Sequence, residues 1–176
     1  MQNKTLMVMA GGTGGHIFPA LAVAKLWREA GGKVVWLGTA AGLETRLVPQ
    51  NNIPLHLLGI SGVRGKSFLT RLLAPFNLLR AIWQAMQILR AQKPDIVMGM
   101  GGYAAAPGGF AAWLLRIPVV IHEQNAAAGL TNRLLAPFAR HVLTGFPNVF
   151  PRGKWLGNPV RADIFNVNEI LDSKSI

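Results

Sequence analysis

Thr5-Leu6-Met7-Val8-Met9-Ala10-Gly11-Gly12-Thr13-Gly14-Gly15-His16 is an apolar run that breaks into glycines and ends on a histidine. A second stretch repeats the pattern: Asp95 to Met98 leads into Gly99-Met100-Gly101-Gly102-Tyr103. Glycine takes positive φ at little cost and lets backbone approach a ligand closely. A strand that feeds such a turn and then a helix makes an anion site from main-chain N–H groups and the helix dipole. Two such turns in one chain imply a ligand that carries phosphates, either a nucleotide sugar or a lipid pyrophosphate.

Outward from the first turn, strand-like apolar runs recur. They fall at Thr5–Ala10, Lys33–Leu37, Leu55–Leu58, Asp95–Met98, Pro118–His122, His141–Thr144 and Lys154–Leu156. Continuous apolar runs of this length suit parallel strands covered on both faces. Helices are expected at Pro19–Ala30, where Leu21, Ala24, Leu26 and Trp27 share a face and Gly31-Gly32 stops the helix. Further helices are expected at Leu43–Gln50, at Leu69–Gln92 with Pro75 starting its main body, at Ala106–Leu115 and at Thr131–Phe138. Strand–helix alternation predicts an α/β fold with a doubly wound, mostly parallel, Rossmann-like sheet. Ligands of such sheets bind outside the carboxyl ends of the strands, where both glycine turns and His122-Glu123-Gln124-Asn125 fall.

Composition narrows the class. The chain has 176 residues, 51% hydrophobic and 14% charged, which suits one domain with a substantial core. It has no cysteine, so neither a disulfide framework nor a thiolate metal site is possible. The apolar part of the N-terminus is too short for a signal peptide. No stretch approaches the roughly 18 uninterrupted apolar residues of a spanning helix. Ala104 to Leu115, the longest candidate, is interrupted by Pro107-Gly108-Gly109. The net charge is +11. Arg64, Lys66, Arg71, Arg80, Arg90 and Lys93 stand between Ile60 and Lys93 with no acid among them. That balance favours an acidic partner. No interleaved arginine/aromatic strand pattern is present, so nucleic acid is not expected. Residues 163–176 hold three of the seven acids and read as a linker or frayed terminus.

Two nucleotide motifs fail. A dinucleotide fingerprint started at Gly12 finds Gly14 but then Ile17 where a third glycine is needed, and Leu37-Gly38 stands where an acid should end the second strand. A Walker A loop ending at Gly65-Lys66-Ser67 requires glycine at position 60, which is isoleucine. His16, His56, His122 and His141 lack metal-ligand spacing, and no nucleophile elbow exists. No metal or cofactor is expected.

Candidate chemistry rests on few groups. His16 falls at or just inside a helix N-terminus, where the dipole disfavours imidazolium and leaves a ring able to take a proton. It reads either as a general base or as a histidine that bonds the turn. Glu123 orients sugar hydroxyls or serves as the base, or else caps a helix or pairs with an arginine. Tyr103, the sole tyrosine, stacks or hydrogen-bonds at the glycine turn, or packs at an edge. Phe68, Leu69, Leu72, Leu73, Phe76, Leu79 and Trp83 recur at roughly helical spacing beside Arg71 and Arg80. Such a segment lies in a membrane interface or forms a core helix with a solvated basic face.

Taken together, these stretches resemble the MurG family of bacterial N-acetylglucosaminyltransferases. Residues 7–16, Ile60-Ser61-Gly62-Val63-Arg64-Gly65-Lys66, residues 99–103, His122-Glu123-Gln124-Asn125 and Gly157-Asn158-Pro159-Val160-Arg161 match in order. The resemblance implies a GT-B fold of two Rossmann-like domains facing a cleft. Residues 1–162 would be the N-terminal, acceptor-side domain, and 163–176 the start of the interdomain linker or of a C-terminal donor domain whose remainder is absent. It implies inverting transfer of GlcNAc from UDP-GlcNAc to lipid I, giving lipid II for the cell wall, without an essential metal. His16 is the first choice of base and Glu123 the second. Thr13, Gly14, Gly15, Asn125 and Arg161 would bind the donor. Gly12, Gly14, Gly15, Gly101, Gly102, Tyr103 and Gln124 would receive the acceptor pyrophosphate. Arg64, Lys66, Phe68, Leu72, Phe76, Leu79, Arg80 and Trp83 would seat the domain peripherally on the anionic cytoplasmic face of the inner membrane. The competing expectation is a non-catalytic module that binds lipid pyrophosphate or membrane.

Overall fold

A computed structural model describes residues 3–60 and 74–159. Seven strands form one sheet: β1 (Thr5–Ala10), β2 (Lys33–Thr39), β3 (Leu55–Leu58), β4 (Ile96–Gly101), β5 (Val119–Glu123), β6 (His141–Thr144) and β7 (Lys154–Trp155). All neighbours pair in parallel, in the order β3-β2-β1-β4-β5-β6-β7. Side chains alternate along β1. Leu6, Val8 and Ala10 enter one apolar cluster with Val34, Trp36 and Ile17, while Met7 and Met9 enter another with Leu37, Leu58 and Leu89. Both faces are therefore buried, which explains why the strands read as unbroken apolar runs.

Helices α1 (Gly14–Glu29) and α2 (Glu44–Gln50) cover the first face. Helices α3 (Ala74–Gln92), α4 (Ala105–Leu114) and α5 (Leu130–Leu135) cover the second, with a 3-10 turn at Ala136–Phe138. The doubly wound, Rossmann-like sheet expected from the sequence is thus observed.

Some boundaries differ from expectation. Helix α1 begins at Gly14, not Pro19, because Thr13 is extended (φ −103°, ψ 157°) and its carbonyl accepts the N–H of His16 and Ile17 at 3.2 and 3.3 Å. Its buried stripe is Ile17, Ala20 and Ala24, and Leu26 is exposed. Pro107-Gly108-Gly109 do not interrupt α4. Pro107 lies in the first turn, where a missing N–H costs no helical bond. Gly108 and Gly109 let the helix settle closely on Met9, Leu37 and Leu135. Strands β2, β4 and β5 run past the last apolar residue to Thr39, Gly101 and Glu123. The second glycine turn therefore starts at Gly102, with Gly99 inside the ladder. Residues 163–176 lie outside the described residues.

The chain winds from β1 outward to β3 and then crosses back to β4, so the direction of winding reverses between β1 and β4. At that switch point the two glycine turns touch. Gly102 (φ +88°) lies so near the first turn that a Cβ on it would overlap the Gly11 carbonyl. Gly12 has φ +89°, yet a Cβ there would meet nothing within 4 Å. Gly102→Ala should therefore cost about 2–5 kcal/mol, adding backbone overlap to the positive-φ penalty. Gly12→Ala should cost only the roughly 1–2 kcal/mol of the φ term. Urea unfolding of the two variants checks the ranking, and equal losses would refute the loop contact.

Candidate functional site

Two buried carboxylates hold loops at the strand ends, and the first of them, Glu44, holds the first glycine turn. Glu44 is fully buried. Its Oε2 accepts the Gly12 N–H at 2.9 Å, and its Oε1 accepts the Thr39 N–H and hydroxyl, each at 2.9 Å. A Cβ on Gly11, Gly38 or Gly42 would run into this side chain, so three glycines make room for it. Sequence reading passed over Glu44 as part of a short helix. The available signal was an acid set among glycines just beyond the second strand.

Glu123, at the end of β5, holds the loop that follows it. It is fully buried, and its Oε1 accepts the N–H and Nδ2–H of Asn125 at 3.0 and 2.9 Å. Its Oε2 accepts the N–H of Gly129 and the Nδ2–H of Asn132, both at 2.9 Å. Burial raises the carboxyl pKa, but the donors of Gly129, Asn132 and Asn125 outweigh it and hold the group below the ordinary carboxylate range. With both oxygens occupied and no exposure, Glu123 cannot reach a substrate hydroxyl. It is corrected from candidate base to a residue that shapes the 125–129 loop. Asn132, missed in the sequence, also bonds the His122 carbonyl at 3.1 Å.

Gln124 is likewise corrected. It is buried and not open to a pyrophosphate. Its Oε1 stands 2.9 Å from His16 Nδ1. Its Nε2 donates to the His122 carbonyl at 3.0 Å, stands 3.2 Å from His122 Nδ1 and 3.8 Å from Met100 Sδ. The far nitrogen of His122, Nε2, lies 3.0 Å from the Gly157 carbonyl. Asn158 closes the same region by donating to the Gln124 carbonyl at 3.1 Å. Desolvation pushes the His122 pKa below its ordinary value, against weaker upward pulls from the Gly157 carbonyl and Glu123.

His16, third in α1, lies half-buried over Gly101. A Cβ on Gly101 would stand 2.7 Å from the imidazole Cε1. The sheet edge thus brings together His16, Gln124, Gly101, Gly102 and the start of α1, where no side chain caps the helix and no acid stands in the first turn. Thr13, Gly15 and Asn125 are exposed there, Gly12 and Gly14 half-buried, and Tyr103 is 48% exposed. Arg161 lies outside the described residues.

The basic apolar segment is a separate feature. Along α3, Phe76, Leu79, Arg80 and Trp83 form an exposed stripe, while Ala81, Ala85 and Leu89 pack inward. Arg64, Lys66, Phe68 and Leu72 lie outside the described residues. No helix among the described residues is long and apolar enough to cross a membrane.

Comparison with known proteins agrees with this fold. Residues 6–144 match the glycosyltransferase family 28 N-terminal domain. A UDP-N-acetylglucosamine--N-acetylmuramyl-(pentapeptide) pyrophosphoryl-undecaprenol N-acetylglucosamine transferase of Alkalilimnicola ehrlichii is 60% identical over 92% of this chain and 46% of its own length. A transferase of the same name from Cupriavidus metallidurans is 53% identical over 95% of this chain and 47% of its own. The crystal structure of MurG from Acinetobacter baumannii superposes with a TM-score of 0.78 at 50% identity, covering 88% of this chain and 45% of that one. The chain spans about half the length of the curated relatives it matches.

The buried His122 and Glu123 make stability depend on pH in one direction. An unfolded chain takes up a proton on His122 near its ordinary value of 6.5, before the folded ring does, so acidification through that region destabilises the fold. Glu123 contributes stability that is present above its ordinary value of 4.5 and lost as pH falls through the lower folded value. Urea midpoints should drop between about pH 7 and 5.5, less steeply in His122→Asn, and drop again below about pH 4.5, less steeply in Glu123→Gln. Curves parallel to wild type would refute both assignments.

Proposed function

Since the chain belongs to the glycosyltransferase family 28 N-terminal domains, we propose that it forms the acceptor-side half of an N-acetylglucosaminyltransferase that moves GlcNAc from UDP-GlcNAc to lipid I, giving lipid II for peptidoglycan synthesis. The observation that carries this reading is 60% identity, across 92% of the chain, to a transferase named for that reaction. Residues 1–162 are proposed as the acceptor domain, and 163–176 as the start of the linker or of a donor domain.

In the proposed mechanism His16 takes the proton of the acceptor's 4-hydroxyl as its oxygen attacks the anomeric carbon of GlcNAc. The new glycosidic C–O bond forms with inversion while the bond to the diphosphate breaks, and UDP leaves with its electron pair. Thr13, Gly14, Gly15, Asn125 and Arg161 are proposed on the donor side. Gly12, Gly14, Gly15, Gly101, Gly102 and Tyr103 are proposed to line the site of the acceptor pyrophosphate. Main-chain N–H groups at the start of α1, together with Arg161, offset phosphate charge.

The stripe of Phe76, Leu79, Arg80 and Trp83 is proposed to seat the domain on the anionic cytoplasmic face of the inner membrane. The Gly59 N–H donates to Gln84 Oε1 at 3.0 Å, so α3 meets the strand-end edge near its middle. Every residue of the stripe precedes that contact, on a length of helix of roughly 15 Å. The greasy, basic surface therefore lies on the side where the acceptor would bind.

Transfer of radiolabelled GlcNAc to a lipid I analogue tests the reading, with the chain alone and with a C-terminal donor half supplied. Transfer is expected only with both halves. Its absence from the pair, with the analogue still bound by the chain, would favour the non-catalytic module. In the two-domain protein His16→Ala should lower kcat by about a hundredfold or more, as loss of a positioned base does, and a change under threefold would remove His16 from that role.

Membrane contact has its own measurement. Co-sedimentation with vesicles containing anionic phospholipid should weaken about fivefold in Arg80→Ala, from roughly 1 kcal/mol per basic residue. It should weaken further in Trp83→Ala. Unchanged partitioning in both variants would remove the stripe from that role.

A further inference from the structure

We propose that Gln124 and His122 are positioning residues that lock His16 as its Nδ1–H tautomer, leaving the lone pair on Nε2. The proposal rests on the reading of His16 as the base, yet its central observable requires no substrate.

The donors and acceptors leave one consistent assignment. A carbonyl oxygen only accepts, so the His122 Nε2 that stands 3.0 Å from the Gly157 carbonyl carries the proton. His122 is 2% exposed, and a neutral ring so protonated has an acceptor at Nδ1. Gln124 Nε2, at 3.2 Å, donates to it, and the same amide nitrogen donates to the His122 carbonyl at 3.0 Å. Reversing the amide would set two carbonyl oxygens against each other, so the Gln124 Oε1 faces His16. An amide oxygen only accepts, and His16 Nδ1, 2.9 Å away, must donate. The neutral ring then holds its lone pair on Nε2.

Two further contacts keep the assignment rigid. Gly101, with φ +104°, leaves the space over which the His16 ring lies. Asn158 pins the Gln124 backbone through the Gln124 carbonyl. The relay therefore starts in the 157–158 segment after β7, crosses the end of β5 and finishes in the first turn of α1. In water a neutral imidazole favours the opposite, Nε2–H form, so the tautomer at His16 reports the relay.

The test uses the chain labelled with nitrogen-15 histidine. It contains four histidines, so a long-range proton–nitrogen spectrum at about pH 8.5, well above the ordinary imidazole pKa, resolves each ring. His16 is expected with its unprotonated nitrogen at Nε2, and His122 with its unprotonated nitrogen at Nδ1. In Gln124→Met, His16 should revert toward the Nε2–H form while His122 keeps its pattern. If Gln124→Met fails to fold, the wild-type spectrum alone decides, because it reads the tautomers of His16 and His122 directly. An Nε2–H His16 in wild type, or an unchanged His16 in a folded Gln124→Met, overturns the relay whether or not transfer is detected. The expected pattern without GlcNAc transfer by the two-domain protein overturns the functional reading alone. In the active two-domain protein Gln124→Met should lower kcat at least about tenfold with little change in the KM for UDP-GlcNAc. A misplaced tautomer of a base histidine costs up to about ten-thousandfold elsewhere.

Discussion

The site depends on backbone meeting backbone at the sheet's switch point. Gly102 lies against Gly11 with no room for a side chain between them. Because β1 and β4 are hydrogen-bonded neighbours whose connections leave in opposite directions, their C-terminal turns are forced together. Any side chain at Gly102 would push the turns apart and widen the edge from which His16 and the start of α1 project. The glycines at this contact thus serve packing first, whereas Gly15 is exposed and a Cβ on Gly12 would meet nothing within 4 Å.

Burying Glu44 and Glu123 on either side of that contact removes two carboxylates from water, a cost tolerated only when their oxygens are hydrogen-bonded. Glu44 receives three donors and Glu123 four, and charge-assisted bonds of this kind are the strong ones. In return each carboxylate fixes a loop by its main-chain N–H groups: Gly12 on one side, Asn125 and Gly129 on the other. The two acids nearest the edge are therefore spent on shape.

Much of the fold was legible because the sheet is buried on both faces. Thr5–Ala10, Leu55–Leu58 and His141–Thr144 read as apolar runs and are strands over those same residues. The ladder ran on where the apolar signal stopped, since Gly99, Gly101 and Glu123 still pair or bond as strand residues. Pro19 hid the true start of α1, because a proline ordinarily marks a helix beginning whereas here it falls in the second turn. The site was half legible. His16 and Gln124 stood out as polar groups at strand ends, but their partnership joins residues 108 positions apart, and that of Gly12 with Glu44 joins residues 32 apart. No local pattern encodes such pairs. A carboxylate next to a strand end therefore reads the same in sequence whether it faces a ligand, as expected of Glu123, or the protein's own amides, as it does.

The two surfaces of the domain obey opposite rules, and that difference explains their sequences. At the strand ends almost every polar atom named has a fixed protein partner, so a proton-accepting nitrogen is set by a chain of bonds reaching back to Gly157. Along the first half of α3 Phe76, Leu78, Leu79, Arg80 and Trp83 are exposed, and no acid stands in its first turn. Preorganised hydrogen bonds suit a site that must hold one geometry through a reaction. A stripe of Phe76, Leu79 and Trp83 with Arg80 suits a fluid, anionic surface that imposes no geometry of its own. The Gly59–Gln84 contact joins the two, tying the middle of α3 to the end of β3 so that the exposed stripe lies on the strand-end side of the sheet.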